Sequence, residues 1–396
     1  MKRFLALDGF RGLCALLVVV YHIHVLNSFA KHDFFRNSYL FVEFFFVLSG
    51  FVLYHTYGQG GFEFKRFKRF FISRTFRLFP LHLVMLLFFI LLEIVKWFAE
   101  KKGIMFNNSA FTGAYAPSEI LPNLFLLQSW LPGADSLSYN SVSWSISVEY
   151  YMYLIFDFIM LLLPGMKKYL FGTISILAFV SLFFHSDLLK LEPLRGLSCF
   201  FAGCLCYLVY SKVSKLVIPK IVFDVLELIS VAAIIIVMLT NFENKGICIS
   251  LLFCFTVIIF AFDNGIVSRL LKSNPVSFLG KLSYSIYIIH LAILLLILSA
   301  AMIASKVFGR DFSPMVTENN IAGRVITTGS VIGDNLLVFV ILGGIIVISN
   351  FTYKVFELKG IALGKKVLER MESNLVLPVL PELPELPKLK PESPEV

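Results

Sequence analysis

Ten stretches of about 20 mostly apolar residues recur along this chain, at 12–29, 38–58, 77–99, 142–164, 168–187, 195–211, 222–241, 246–263, 282–303 and 333–356. Each is about the length an α-helix needs to cross a hydrocarbon core of about 30 Å. Backbone polar groups in lipid must be satisfied within the segment or a closed barrel, so runs of this length fold as spanning helices. The expected fold class is therefore all-α, a polytopic membrane helical bundle of about ten transmembrane helices. Composition points the same way: 58% of residues are hydrophobic, 15% are charged and the mean hydropathy is +0.83, against roughly 45–50% apolar in a soluble domain.

Charge supplies the topology. A net charge of +9 could suggest nucleic acid, but the basic residues gather in short loops between apolar runs, as the positive-inside rule requires, and nucleic-acid binding is excluded on that ground. Lys and Arg total 24 on one side and 11 on the other, which places both termini in the cytoplasm. The strongest element is Lys65-Arg66-Phe67-Lys68-Arg69 with Arg74 and Arg77. Met1-Lys2-Arg3 and the apolar run ending at Ser28-Phe29-Ala30 have the outline of a cleaved signal peptide. The length of Gly12 to Phe29 and the charges it carries favour a retained span. Six cysteines, Cys14, Cys199, Cys204, Cys206, Cys248 and Cys254, lie in or beside apolar segments without metal-ligand spacing, so free thiols are expected and no metal site.

Residues 1–360 read as one membrane domain and 361–396 as a largely disordered cytoplasmic tail. Beyond Met371, Pro378, Pro381, Pro384 and Pro387 recur every third residue, the period of a polyproline II helix. A protein partner for this tail is unknown. Two long outward connections, 100–141 and 304–332, are rich in Asn, Ser, Thr, Gly and Pro and read either as solvated connectors or as acceptor-contacting lids. Ile120 to Leu131 is apolar but too short to cross, so it should lie at the interface or re-enter.

Ionisable residues at membrane depth are functional candidates by default, because each costs a few kcal/mol on insertion scales. His22 lies in the first span. Arg11, eleven residues earlier, is only about 20° away in azimuth and about 16 Å away along the axis. Asp8 lies near the same stripe, whereas His24 points away. Glu149, in Ser143-Trp144-Ser145-Ile146-Ser147-Val148-Glu149-Tyr150, must be paired or protonated, and opposed helix directions could bring it to His22 to orient the imidazole and raise its basicity. Trp144 reads as an interfacial anchor or a channel residue. Arg74 and Arg77, three apart, form a fork suited to phosphates, or ordinary cytoplasmic charge. Glu43 is a further intramembrane acid; Ser49 either lines a channel or shares with Gly50 a close-packed helix contact. Tyr287 and His290, in the segment Gly280 to His290, are placed in the channel, with an interhelical hydrogen bond as the other role open to His290.

Together these segments resemble the acyltransferase 3 family of integral membrane enzymes that move acyl groups onto sugars and other acceptors. The resemblance rests on LDGFRGLCALLVVVYH with its Arg-x10-His spacing, FFVLSGFVL, RTFRLFP, WSISVEYYMYLIF and LGKLSYSIYIIH, in the family's order over about residues 5–355. It implies His22 as the essential histidine and Arg74 and Arg77 as the contacts of the acyl-CoA donor; Arg11, Ser49 and Glu149 also match motif positions, and Glu149 keeps the catalytic role beside His22 that the opposed spans suggest. Glu43 stands where Asp is usual, Tyr150 where a second acid is common, and His82 where an aromatic is frequent. No appended extracytoplasmic hydrolase-like domain of the kind some members carry is expected, so acceptor handling would fall to the membrane domain, its loops or a separate protein.

The resulting expectation is a multi-pass protein of the bacterial inner membrane. It would transfer an acyl group, acetyl in particular, from cytoplasmic acyl-CoA to a hydroxyl of a cell-envelope or exported glycan or glycolipid. Acyl-CoA acts as co-substrate, Arg11, Arg74 and Arg77 contact it, and no bound cofactor is expected. Membrane lipid is the other partner. A transporter of a small anion or glycolipid would use the same intramembrane charges but would release no CoA, and it predicts internal repeats that are not evident. A non-catalytic scaffold would depend on the tail and tolerate loss of His22.

Overall fold

Apolar segments long enough to span are helical throughout the computed structural model, which describes residues 2–59, 63–104, 106, 108–318 and 321–373. The principal helices are α1 (Leu5–His22), α2 (Phe41–Tyr57), α3 (Phe64–Lys101), α4 (Ser143–Leu162), α5 (Lys167–Phe183) and α6 (Leu191–Val213). They continue with α7 (Lys220–Leu239), α8 (Lys245–Phe260), α9 (Asn274–Phe308), α10 (Val331–Thr352) and α11 (Leu358–Ser373). Among the described residues eight helical segments are long and apolar enough to cross a membrane. The protein is a multi-pass membrane helical bundle. The other two expected spans are α5 and α8, of 17 and 16 residues, about 25 Å long and short of a full hydrocarbon core. Soon after each helix ends, the chain turns through a left-handed residue, His185 (φ 51°) and Asp263 (φ 58°), earlier than apolar composition alone implies.

Two seams organise the bundle. In the first, α1 packs along α9 at small residues: a Cβ on Gly12 would strike the Leu279–Gly280 backbone, and one on Gly280 would strike the Asp8 carbonyl. In the second, α2 packs on α6, where a Cβ on Gly50 would strike the Phe200 carbonyl and one on Gly203 the Val47 carbonyl. Without a hydrophobic drive between helices in lipid, such close backbone approach is how they adhere. Large aromatic rings, among them Phe44, Phe51, Phe156, Phe200 and Phe201, fill the space around the second seam with little or no exposure.

Helix α3 has 38 residues, about 57 Å at the helical rise, so it cannot lie wholly within a hydrocarbon core. Its first turns carry the basic run, and α11 packs beside them, Gly360 and Gly364 lying on Phe76. Residues 361–373, expected in the disordered tail, are therefore part of an ordered helix; 374–396 lie outside the described residues. Glu372 reaches Lys65 (3.8 Å) and Arg69 (3.7 Å), while the Lys2 ammonium donates to Tyr210 and Ala261. His55 Nε2 lies 3.1 Å from the Lys2 carbonyl, which ties the start of α1 to the end of α2.

The opposite end is capped by two long connections. A hairpin of β1 (Met315–Glu318) and β2 (Ile321–Arg324) leads into a parallel bridge between Val25 and Ile326, just beyond α1. The 102–142 segment folds inward: Asn123, Leu126, Gln128 and Ser129 are buried, which realises the re-entrant alternative for Ile120 to Leu131. Acids from apolar surroundings serve its backbone. Glu93 accepts from the Phe111 amide and Glu119 from the Asp135 amide, both at 2.9 Å, and Lys190 donates to the Gln128 carbonyl (3.2 Å). His82 Nε2 lies 2.8 Å from the Asn123 carbonyl. Tyr139 donates to Tyr115 and Ala116, and burial, reinforced by Glu93 and Glu119, pushes its phenol up to about 12.

The second seam yields a direct expectation. Gly50→Ala places a methyl group against backbone that cannot swing aside, so it should destabilise the fold by about 1–3 kcal/mol, the usual scale of overpacking. A lower thermal unfolding midpoint of detergent-purified protein is the expected reading, and an unchanged midpoint would show that α2 and α6 can separate without penalty.

Candidate active site

Arginines spaced three apart on a helix share a face, and α3 turns both Arg74 and Arg77 into a cavity of about 390 Å³ at the end of the bundle that carries the N-terminus. Lys2, Arg3, His55 and Thr56 line its mouth; Phe45, Ser145, Ser283 and Tyr287 line its inner part. Five cations, Lys2, Arg3, Arg11, Arg74 and Arg77, face two acids, Asp8 and Glu149, across this space. That excess suits an anionic ligand, and guanidinium forks are the side chains best matched to phosphate oxygens.

Each arginine is held differently. The Arg77 Nε lies 3.7 Å from Glu357, which belongs to a π-helical turn, Tyr353–Glu357, between α10 and α11; Ser285 donates to the same carboxylate at 3.2 Å. Such turns widen the helix and recur at functional sites. Arg74 makes no ion pair among the described residues, and its guanidinium lies over the rings of Phe70 (5.4 Å) and Tyr153 (5.1 Å). Arg11 donates through Nη2 to the Gly280 carbonyl across the α1/α9 seam (3.0 Å), with Asp8 4.0 Å away, and its buried Nε has no hydrogen-bond partner among the described residues. The fork formed by Arg74 and Arg77 is thus more available to a ligand than an arginine locked in a bidentate salt bridge.

Glu149 sits inside the cavity, accepting from Ser49 (2.7 Å) and from Tyr153, one turn further along α4. No hydrogen bond joins it to His22 among the described residues. His22 lies at the opposite end of α1, about 26 Å from the start of that helix, partly exposed, with its Nδ1 2.9 Å from the Val18 carbonyl. Its side-chain neighbour is His290: Nε2 of His290 is 3.2 Å from Nδ1 of His22, and the ring centroids are 4.9 Å apart. The expected meeting of His22 with Glu149 is therefore replaced by a histidine pair. Tyr287, at the inner limit of the cavity, is one helical turn from His290 on α9, with centroids 5.9 Å apart, and accepts a bond from Ser145 (2.8 Å).

Of the residues expected to line the channel, Ser49 and Tyr287 do so, while Glu43, Trp144 and His290 do not. Glu43 is taken up by Arg195, at 2.7 Å, in a largely buried pair, and the Trp144 ring lies 4.7 Å beneath the same guanidinium. Arg195 and Glu357 escaped notice in the sequence because each stands at the edge of an apolar run, where a charge reads as an ordinary loop residue; Tyr153 was hidden among the aromatics of its segment. Among the described residues no group of three or more His, Cys, Asp or Glu side chains is placed to hold a metal ion.

The architecture is that of a multi-pass membrane bundle with a cationic cavity at one end and a histidine pair towards the other. A family profile described as an acyltransferase domain matches residues 4–353. The chain belongs to the acyltransferase 3 family. It is similar to Protein 2 in picA locus of Rhizobium radiobacter, 43% identical over 86 residues, which are 22% of this chain and 43% of that protein. It is also similar to Acyltransferase MdmB of Streptomyces mycarofaciens, 30% identical over 162 residues, 39% of this chain and 38% of the relative. A protein of Staphylococcus aureus (strain COL) named as an O-acetyltransferase is 24% identical over 329 residues, 74% of this chain and 51% of the relative. The chain thus spans about half or less of these relatives' lengths. No solved structure matches it at a significant level.

The Glu43–Arg195 pair has a measurable signature. Removing one partner of a buried pair strands the other charge and typically costs about 3–5 kcal/mol, whereas replacing both with apolar residues of similar volume is often neutral. Arg195→Met should lower the unfolding midpoint sharply and the Glu43→Leu/Arg195→Met double variant should recover most of it. A double variant no better than the single would mean that the two charges do not act as a pair.

Proposed function

We propose that this protein is a membrane O-acyltransferase of the bacterial inner membrane that moves an acyl group, acetyl in particular, from cytoplasmic acyl-CoA to a hydroxyl of a cell-envelope or exported glycan. The carrying observation is the cationic cavity, whose inner limit at Tyr287 lies one helical turn of α9 from the buried His290, which in turn contacts the partly exposed His22 towards the opposite end. A phosphate-bearing donor and a hydroxylic acceptor can then approach the histidine pair from opposite ends.

The basic residues around the cavity mouth support a cytoplasmic position for that end under the positive-inside rule. There the CoA phosphates meet Arg74 and Arg77, with Arg11 deeper in, and the pantetheine arm carries the thioester inward past Glu149 and Ser49. His22 takes the proton from the acceptor hydroxyl as its oxygen attacks the thioester carbonyl carbon. The tetrahedral adduct collapses, the C–S bond breaks, and the departing thiolate receives that proton from His22, leaving the ester and CoA thiol. Glu149, bonded to Ser49 and Tyr153, acts in the donor cavity as a counter-charge to the arginines. The acetyl donor is supported by the name of the Staphylococcus relative and the transferase class by MdmB. The glycan or glycolipid acceptor is supported by the resemblance to a family that moves acyl groups onto sugars and other acceptors.

Purified protein in nanodiscs should release CoA from acetyl-CoA when cell-envelope glycan is supplied. His22→Ala should lower the turnover by at least about 100-fold, the lower range of general-base contributions, without loss of protein. Arg74→Ala/Arg77→Ala should chiefly raise KM for acetyl-CoA. Full activity in His22→Ala would overturn the mechanism, and no CoA release by the wild type with acceptor present would overturn the donor assignment.

A further inference from the structure

A carbonyl oxygen can only accept a hydrogen bond, and that elementary fact assigns the protons of the histidine pair. His290 Nδ1 lies 2.6 Å from the Tyr287 carbonyl, so this nitrogen carries hydrogen. His22 Nδ1 lies 2.9 Å from the Val18 carbonyl, so it carries hydrogen as well. His290 Nε2 faces that same His22 Nδ1–H at 3.2 Å. A second N–H there would point hydrogen at hydrogen, so His290 Nε2 holds its lone pair and the ring is neutral. His22 therefore shares one N–H between two acceptors, Val18 O and His290 Nε2, and the lone pair of its ring is left on Nε2. Among the described residues that Nε2 has no hydrogen-bond partner.

We infer that His290 is a positioning residue for His22: it accepts the His22 Nδ1–H, fixes that tautomer and ring orientation, and so leaves Nε2 as the nitrogen that takes the acceptor's proton. This rests on the reading of His22 as the base under Proposed function. The role is the one usually filled by a carboxylate beside a catalytic histidine, and Glu149, expected to fill it, is engaged by Ser49 and Tyr153 instead. A neutral imidazole acceptor suits the place. His290 has no exposed surface, and a bare carboxylate there would need a counter-charge that a ring already anchored to its own helix carbonyl does not. When His22 gains a proton at Nε2, the lone pair of His290 still accepts from Nδ1–H, so the imidazolium forms without rearrangement of the pair.

Two measurements test this on the full chain in nanodiscs. Nitrogen NMR of 15N-histidine-labelled protein, with the His22 signals identified by their loss in His22→Ala, should show the wild-type His22 protonated at Nδ1 and bare at Nε2. The Nε2–H tautomer would overturn the inference whatever the activity. In CoA-release assays, His290→Phe keeps a ring of similar volume but has no acceptor, and should lower kcat by about 10-fold or more while leaving KM for acetyl-CoA unchanged. His290→Gln, whose side-chain oxygen can accept from His22, should restore kcat to within about 3-fold of the wild type. A kcat for His290→Phe equal to the wild type, or one for His290→Gln as low as His290→Phe, would each overturn it. Should His290→Phe fail to fold, the tautomer measurement on the wild type still decides. Full activity of His22→Ala would instead sink the catalytic reading and leave the tautomer assignment standing.

Discussion

Close approach of α1 to α9, made possible by glycines on both helices, is the contact on which the rest of the site depends. Arg11 reaches the Gly280 carbonyl across it, and His22 meets His290 about three turns further along. Those two contacts are separated by eleven residues on α1 and ten on α9, or about 15–16 Å on either helix. The two helices therefore run in the same direction and in step. A side chain larger than hydrogen at Gly12 or Gly280 would widen the seam, and both the arginine contact and the histidine pair would lose their geometry together.

Charge inside the bundle follows one rule with several solutions. Three acids of the spanning helices find a donor: Glu43 has Arg195, Glu149 has Ser49 and Tyr153, and Glu93 serves the backbone of the inward-folded connection. The arginine fork keeps capacity for something else, since Arg77 shares Glu357 at 3.7 Å and Arg74 leans on aromatic faces, and the buried Nε of Arg11 has no hydrogen-bond partner among the described residues. The contacts made by Glu43 and Glu93 are internal to the protein, whereas Arg74 and Arg77 face the cavity. This distinction separates Glu43 and Trp144, which hold the fold, from Arg74 and Arg77, which face the cavity.

The long connections show how a bundle of modest helices closes its far end. Two expected spans are only 16 and 17 residues long, and the 102–142 segment fills space by folding Asn123, Gln128 and Ser129 inward. Its polar backbone is tolerated because Glu93, Glu119, Lys190 and His82 meet it, in keeping with the rule that irregular chain at membrane depth must be satisfied by protein.

Periodicity and hydropathy by themselves determined the helical class, the placement of most of the spans, the common face of Arg11 and His22, and the shared face of Arg74 and Arg77. These properties are internal to one helix: length follows from rise per residue, azimuth from turn, and the need for a partner from the cost of burying charge. The identity of each partner was decided only in the tertiary structure. Rotation of one helix against another gave His22 to His290 and left Glu149 to Ser49 and Tyr153, and a π-helical turn after α10 brought Glu357 to Arg77. The sequence states that a buried carboxylate or imidazole must be satisfied; apart from the one-turn contact of Glu149 with Tyr153 within α4, the partner in these pairs comes from another helix a hundred or more positions away, and no local pattern encodes it.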